Sequence, residues 1–215
     1  MSRLLPDARP GTIAIAAGLG AASSAAKLMR LGAILTVSAL VLSACAVSRL
    51  EGTDLGATPA PDFTLTDALT GSDLALSSLR GRIVVLSFLY THCLDTCPLT
   101  AERFRQAQAA LGDDAAKVEF VAVSVDPAGD TVESVRAFSQ EHGLGQRWHY
   151  LIGERARLAG VWALYGIGVI DNGTAVVPHN DALYLLDSQG RERVLMHSSA
   201  PADTLARNLR LLLQA

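Results

Sequence analysis

Val84-Val85-Leu86-Ser87-Phe88-Leu89-Tyr90-Thr91-His92-Cys93-Leu94-Asp95-Thr96-Cys97-Pro98 decides the reading of this chain. Its first half is a continuous apolar run, the pattern of a strand buried on both faces of a sheet. After Pro98 the period changes. Ala101, Phe104, Ala107 and Leu111 recur on one helical face, and Gly112 ends it. The two cysteines therefore fall at a strand-to-helix junction, where a helix N-terminus stabilises a thiolate. Their spacing puts the second sulfur about one helical turn beyond the first, so both can face one point. Such a pair can clamp a soft metal ion, or it can close as a disulfide.

Outward from this junction the same alternation continues. Residues 62–65 and 74–76 read as short strands around a turn at Thr70-Gly71, and 83–90 is the core strand. A second apolar strand covers 118–125 and is broken by Asp126-Pro127. Val132, Val135 and Phe138 open a second helix that stops at Gly143. Residues 148–152 read as a strand, and Leu158, Val161, Trp162 and Tyr165 line a third helix. Residues 182–186 and 192–196 form a hairpin around Asp187-Ser188-Gln189-Gly190, and Leu205, Leu209 and Leu212 mark a terminal helix. The order β-α-β-α-β-α-β-β-α predicts an α/β fold: a mixed sheet flanked by helices, with an N-terminal strand extension and a late β-hairpin.

The front of the chain differs from its body. Residues 31–44 are an apolar run behind Lys27 and Arg30, and Cys45 follows. The run is shorter than the ~20 residues of a membrane span and has the length of an export-signal core. Leu42-Ser43-Ala44-Cys45 resembles the lipobox of bacterial lipoproteins, which implies cleavage before Cys45 and lipidation of its sulfur. An uncleaved signal anchor is the alternative. Translation from Met29 would give a compact export signal. The expected organisation is a signal over 1–45, a flexible Ser/Gly/Thr/Ala/Pro tether over 46–58, and a folded body over 59–215. Without residues 1–45 the chain keeps 14 basic and 20 acidic residues, a net charge of −6. Such a body has no electrostatic footprint for nucleic acid. Cys93 and Cys97 are then the only thiols, in an oxidising compartment.

A cysteine pair after the first core strand of a βαβ unit is the thioredoxin-type arrangement. Four stretches resemble one branch of it, the SCO (SenC/PrrC) family of copper-binding proteins linked to cytochrome c oxidase assembly. Pro61-Asp62-Phe63-Thr64-Leu65 is similar to the family's first strand. Phe88 to Pro98 is similar to its Phe-x-Tyr-Thr-x-Cys-Pro-Asp-x-Cys-Pro signature. Ser124-Val125-Asp126-Pro127 with Asp130-Thr131 is similar to its Ser-x-Asp-Pro-x-x-Asp-Thr segment. His179-Asn180 before Tyr184-Leu185-Leu186-Asp187 is similar to its metal-site His-Ser and the strand after it. The resemblance implies a thioredoxin-like fold and a copper site of Cys93, Cys97 and His179. Thiolates and imidazole suit copper, and thiolates especially suit Cu(I). Leu94 stands where the family usually has proline, Asn180 where serine is usual, and Pro178 where an acidic residue is common. A proline facing the cysteine pair is usual in the thioredoxin superfamily and favours dithiol chemistry.

The resemblance implies a membrane-tethered metallochaperone of the cell envelope. It would face the periplasm or extracytoplasmic side and deliver copper to the dinuclear centre of an oxidase subunit. One alternative is a thiol-disulfide oxidoreductase in which Cys93 attacks and Cys97 resolves. Others are a structural disulfide and a peroxidase of the peroxiredoxin type, which needs an arginine beside the reactive sulfur. His92 is the rival ligand to His179. For His142 a helix C-terminal role suffices, and His149 and His197 need no special role. Asp95 and Asp130 are read as helix caps, Asp126 as a strand terminator, and Trp162 and Tyr165 as core.

Overall fold

The computed structural model of the chain describes residues 49–170 and 176–215. The expected export signal, the Met29 start, the lipobox at Cys45 and the first residues of the tether lie outside them. Eight strands form one sheet: β1 (Thr53–Pro59), β2 (Thr64–Asp67), β3 (Asp73–Ala75), β4 (Ile83–Leu89), β5 (Val118–Ser124), β6 (Trp148–Ile152), β7 (Leu183–Leu186) and β8 (Arg191–Met196). Their spatial order is β1-β8-β7-β4-β5-β6-β2-β3. Among the described residues four α-helices accompany them: α1 (Thr96–Leu111), α2 (Val132–Glu141), α3 (Arg155–Leu164) and α4 (Ala202–Leu213).

The centre of the sheet is parallel, β4 to β5 and β5 to β6; every other pairing is antiparallel. Every residue of β4 and β5 is buried, as their apolar runs require. Phe120, Trp148 and Tyr150 share one face, where Phe104 of α1 and Phe138 of α2 meet them ring to ring. The opposite face carries Phe88 and Tyr184, which pack on Tyr165 at the end of α3. Trp162 and Tyr165 are core residues as expected, and each places its polar tip on a carbonyl, of Ser124 and Pro61 respectively.

The expected tether is shorter than its composition suggests. Residues 53–59 form β1, an edge strand on β8 with a register shift between Asp54 and Thr58. Gly56 and Ala57 adopt positive φ there, 67° and 64°. Just before β1, the Glu51 amide donates to Asn208 Oδ1 at 2.8 Å, and Asn208 Nδ2 donates back to the Glu51 carbonyl at 2.8 Å. Asn208 is fully buried. The ordered body thus begins near Glu51 rather than residue 59. The pairing partner lies more than 130 residues downstream, and no local pattern announces it.

His149, for which the sequence suggests no role, joins three strands. Its Nδ1 is 2.9 Å from Asp67 Oδ2 of β2, and its Nε2 is 3.3 Å from Glu119 Oε2 of β5. Arg82 and Arg147 reach the other Glu119 oxygen at 3.2 and 3.1 Å. Burial opposes a charge on His149, but the hydrogen bonds and charges of the two carboxylates overcome it and raise its pKa from 6.5 to about 9. A raised imidazole pKa stabilises the fold fully below the unfolded value and is lost as pH climbs through the folded one. Global unfolding at a series of pH values is therefore expected to show stability falling between pH 6.5 and 9, by on the order of 3 kcal/mol. His149→Gln should flatten that decline while lowering stability at pH 6, because Asp67 stays buried without its cation, while Glu119 keeps Arg82 and Arg147.

Candidate metal and thiol site

The site is set by the loop from Tyr90 to Asp95, which leaves β4 and enters α1. One buried carboxylate holds that loop. Asp130 Oδ1 accepts the amide and the hydroxyl of Thr91, both at 2.8 Å. Its Oδ2 accepts Ser124 Oγ at 2.6 Å and the Tyr150 hydroxyl at 2.9 Å. Burial dominates and raises the Asp130 pKa despite these four donors. The expectation that Asp130 caps α2 is corrected: Thr131 is the cap, in a reciprocal box with Ser134. Asp130 instead fastens the cysteine loop to the sheet. Asp126, expected only to end β5, turns its Oδ1 onto the amides of Ala128 and Gly129.

Asp95 occupies the N-cap position of α1, but its side chain caps nothing. The Cys93 sulfur takes that place, accepting the Cys97 amide at 3.4 Å and lying 3.6 Å from Thr96 Oγ1. Both cysteines are free and buried. The Cys97 thiol donates to Cys93, and this bond is the largest cause that lowers the Cys93 pKa to about 4. Burial opposes it, while the amides of Cys97 and Asp95 and the Thr96 hydroxyl assist. The same bond, reinforced by burial, drives the Cys97 pKa far upward. The pair therefore shares one proton, held on Cys97. None of the principal interactions of Cys93 is with an arginine.

Tyr90 connects the pair to His179. Its pKa is raised by burial first and then by the Cys93 charge, with which its hydroxyl interacts; the backbone of Val177 lies near the same hydroxyl. Its ring meets the half-buried His179 ring edge-on, with centroids 5.9 Å apart. His179 Nδ1 is 2.9 Å from the Val177 carbonyl, and Nε2 is 3.2 Å from the Phe88 carbonyl. A neutral imidazole donates to only one of these. Donation from Nδ1, the shorter contact, leaves Nε2 with a lone pair facing an oxygen, an arrangement relieved when Nε2 finds an electron-pair acceptor.

Among the described residues, the group of three His, Cys, Asp or Glu whose ligand atoms all lie within 4.8 Å is His92, Asp126 and Asp130. Cys93, Cys97 and His179 are not so close together. The rival histidine, His92, is exposed, with Nδ1 3.2 Å from Thr91 Oγ1. His142 ends α2, as its position suggests, with its ring on Phe138. His197 Nδ1 is 3.7 Å from Asp181. Asn180 braces the His179 loop through Gly168 and Gly166. An open groove of about 380 Å³ runs past Cys93 between His92, Leu94, Pro98, Phe138, Glu141 and His142. Leu94, between the cysteines, is 97% exposed at its rim.

The SCO1/SenC family model matches residues 52–214 of the chain. The SCO1 protein homolog of Bacillus subtilis is 26% identical over 125 residues, which cover 56% of this chain and 65% of that protein. ScoI of Bradyrhizobium japonicum, solved with copper bound, superposes with a TM-score of 0.62 at 26% identity, covering 72% of this chain and 99% of that one. A SCO1/SenC family lipoprotein from Bacillus anthracis superposes with a TM-score of 0.67 at 23% identity, covering 77% and 99%. It supports the thioredoxin-like mixed sheet. The matches span between 44% and 65% of the length of five curated relatives.

Titration of the reduced protein, followed by ultraviolet thiolate absorbance, is expected to show one thiol ionising near pH 4. Cys97→Ala removes the largest cause of that shift and should raise the Cys93 midpoint by at least about one unit.

Proposed function

The chain belongs to the SCO1/SenC family, and on that premise we propose that it is a membrane-tethered copper carrier for assembly of the dinuclear copper centre of cytochrome c oxidase. The observation that carries this reading is the proton-sharing sulfur pair at the start of α1, with His179 one aromatic ring away. Copper is the cargo, held by Cys93, Cys97 and His179. Two sulfurs and one imidazole are a soft-to-borderline set that suits it. Cys93 supplies a ready thiolate. Cys97 gives up its proton on binding. His179 turns Nε2 from the Phe88 carbonyl toward the sulfurs while Nδ1 keeps its bond to Val177, and Tyr90 lies along that path. Three protein ligands leave a position open for a recipient's own ligand, and the groove beside Cys93 gives the oxidase subunit its approach. Lipid on Cys45 would keep the carrier at the extracytoplasmic face of the membrane, beside its recipient. No helix among the described residues is long and apolar enough to cross a membrane.

The asymmetry of the pair also favours thiol-disulfide exchange. Cys93, ionised at a helix N-terminus, is the attacking sulfur. Cys97, protonated and more deeply buried, is the resolving one. The Cys93 thiolate attacks a partner disulfide, one sulfur of which leaves as thiolate. Cys97 then loses its proton and displaces the partner from the mixed disulfide. The two activities share the cysteines and differ at His179.

Competition with a Cu(I) chelator tests the reading. Cys93→Ser, Cys97→Ser and His179→Ala are each expected to weaken binding at least about tenfold, since even outer-shell changes commonly cost that much. His179→Ala should leave the rate of exchange with a model disulfide nearly unchanged. With Cys93 already ionised above pH 4, binding releases one proton from Cys97, so affinity should rise about tenfold per pH unit through neutrality. Binding unaffected by all three substitutions would remove the site.

A further inference from the structure

The start of the folded body and the end of its last helix carry a basic patch that the copper reading does not use. Arg49, Glu51, Arg207, Arg210, Leu211 and Gln214 line an open hollow of about 420 Å³. Arg49, Arg207 and Arg210 are all exposed. Arg207 is paired with Glu51 at 2.8 Å, and Arg210 is oriented by the Ala110 carbonyl at the end of α1. The four charged side chains give a local charge of +2 on a body whose net charge is −6. Such a body presents this end to a negative surface and turns its remainder away.

The chain's covalent path decides which surface that is. Glu51 is fixed by its two bonds to Asn208. Gly52 is packed so tightly on β8 that a Cβ would meet Val194 Cγ1 at 2.5 Å and the Leu195 carbonyl at 2.8 Å. Only six residue steps separate Cys45 from Glu51. Fully extended, they reach about 20 Å. A lipid on Cys45 would therefore hold the patch within a few Debye lengths of the headgroups, whatever path those residues take.

We propose that Arg49, Arg207 and Arg210 form a docking face for anionic phospholipid headgroups, which orients the domain on the membrane. The proposal rests on the lipoprotein reading of Cys45. An acyl anchor restrains distance without orientation, and a basic patch beside it supplies the second signal. The face lies at the far end of α1 from the cysteines. Thirteen residues of helix, about 20 Å, separate Cys97 from Ala110. Docking there leaves the groove beside Cys93 open to a partner.

Trypsin reads this directly, because cleavage after Arg49 releases the domain from the anchor. The lipidated full chain is placed in vesicles of phosphatidylglycerol with phosphatidylethanolamine, or of phosphatidylcholine alone, and release into the supernatant is timed. Release is expected to be slower on the anionic vesicles by at least about fivefold. The difference should vanish in about 1 M salt, where charges are screened beyond about 3 Å. It should shrink in Arg207→Gln/Arg210→Gln, with thermal melting and copper binding as checks on folding. It should grow in Glu51→Gln, which removes the patch's one acid and leaves the backbone ties to Asn208; this variant decides the matter if the double variant does not fold. Equal release from both vesicles, or a ratio indifferent to Glu51→Gln, overturns the proposal. Mass analysis of the Cys45 peptide separates the two levels. An acylated Cys45 with equal release refutes the docking face alone, and an unmodified Cys45 refutes the tether and the docking face together.

Discussion

The carboxylate of Asp130 is the constraint on which the site depends. It is buried, and it gathers donors from three directions: Thr91 after β4, Ser124 at the end of β5, and Tyr150 on β6. Its loss would leave the Tyr150 and Ser124 hydroxyls buried without an acceptor, and it would release the loop that carries Cys93. The bond from the Cys97 amide to the Cys93 sulfur exists because that loop is held against the mouth of α1. The chemistry of the two thiols thus rests on a residue that ligates nothing and attacks nothing in either proposed activity.

The arrangement makes the helix itself a participant. The first turn of α1 has no side-chain cap from Asp95. Its amide and the Cys97 thiol converge on Cys93 instead, so the orphan donors of a helix N-terminus stabilise a sulfur anion. That stabilisation has two consequences of opposite sign. It supplies a thiolate at any ordinary pH, which both a soft cation and a disulfide require. It also lowers the sulfur's basicity, which weakens a metal–thiolate bond and the intrinsic nucleophilicity alike. A centre tuned in this way suits reversible transfer better than permanent storage.

The central fold was readable because it is written locally. The runs 83–90 and 118–125, apolar but for Ser87, Glu119 and Ser124, form β4 and β5, and the period shift after Pro98 marks α1. The cysteine spacing placed both sulfurs at a strand-to-helix junction, but not the loop that carries Cys93 ahead of α1, which Asp130 holds in place. What escaped is non-local. Thr53–Pro59 has the composition of a linker, since an exposed edge strand needs no apolar alternation, and its partner β8 lies far along the chain. Asp130 reads as a cap because Asp before a helix usually is one; Thr131 and Ser134 satisfied α2 and freed the carboxylate to turn inward. His149 gains its role only when β2, β5 and β6 become neighbours. His179 was singled out by a family resemblance rather than by spacing. The geometry shows why spacing was silent: the contact with the cysteine loop runs through Tyr90, which no pattern in the chain marks as a bridge.

The same distinction bears on how α1 serves the molecule. Its N-terminus and its C-terminus meet different chemistry. The first turn converges on sulfur, and the last turn offers the Ala110 carbonyl to Arg210 of α4. Between them Arg103, midway along α1, reaches the Ser198 carbonyl just ahead of α4, so α4 is tied to α1 near both of its own ends. A rigid helix fixed at both ends sets a constant distance between the cysteines and the point where the chain enters the fold. A flexible tether over 46–58 would have let the cysteines sample any height above an attachment point. Pinning Glu51 and forming β1 takes residues 51–59 out of such a tether and into the folded body. The strand that composition failed to reveal therefore fixes where residues 51–59 lie relative to the cysteines, where a linker would have left them loose.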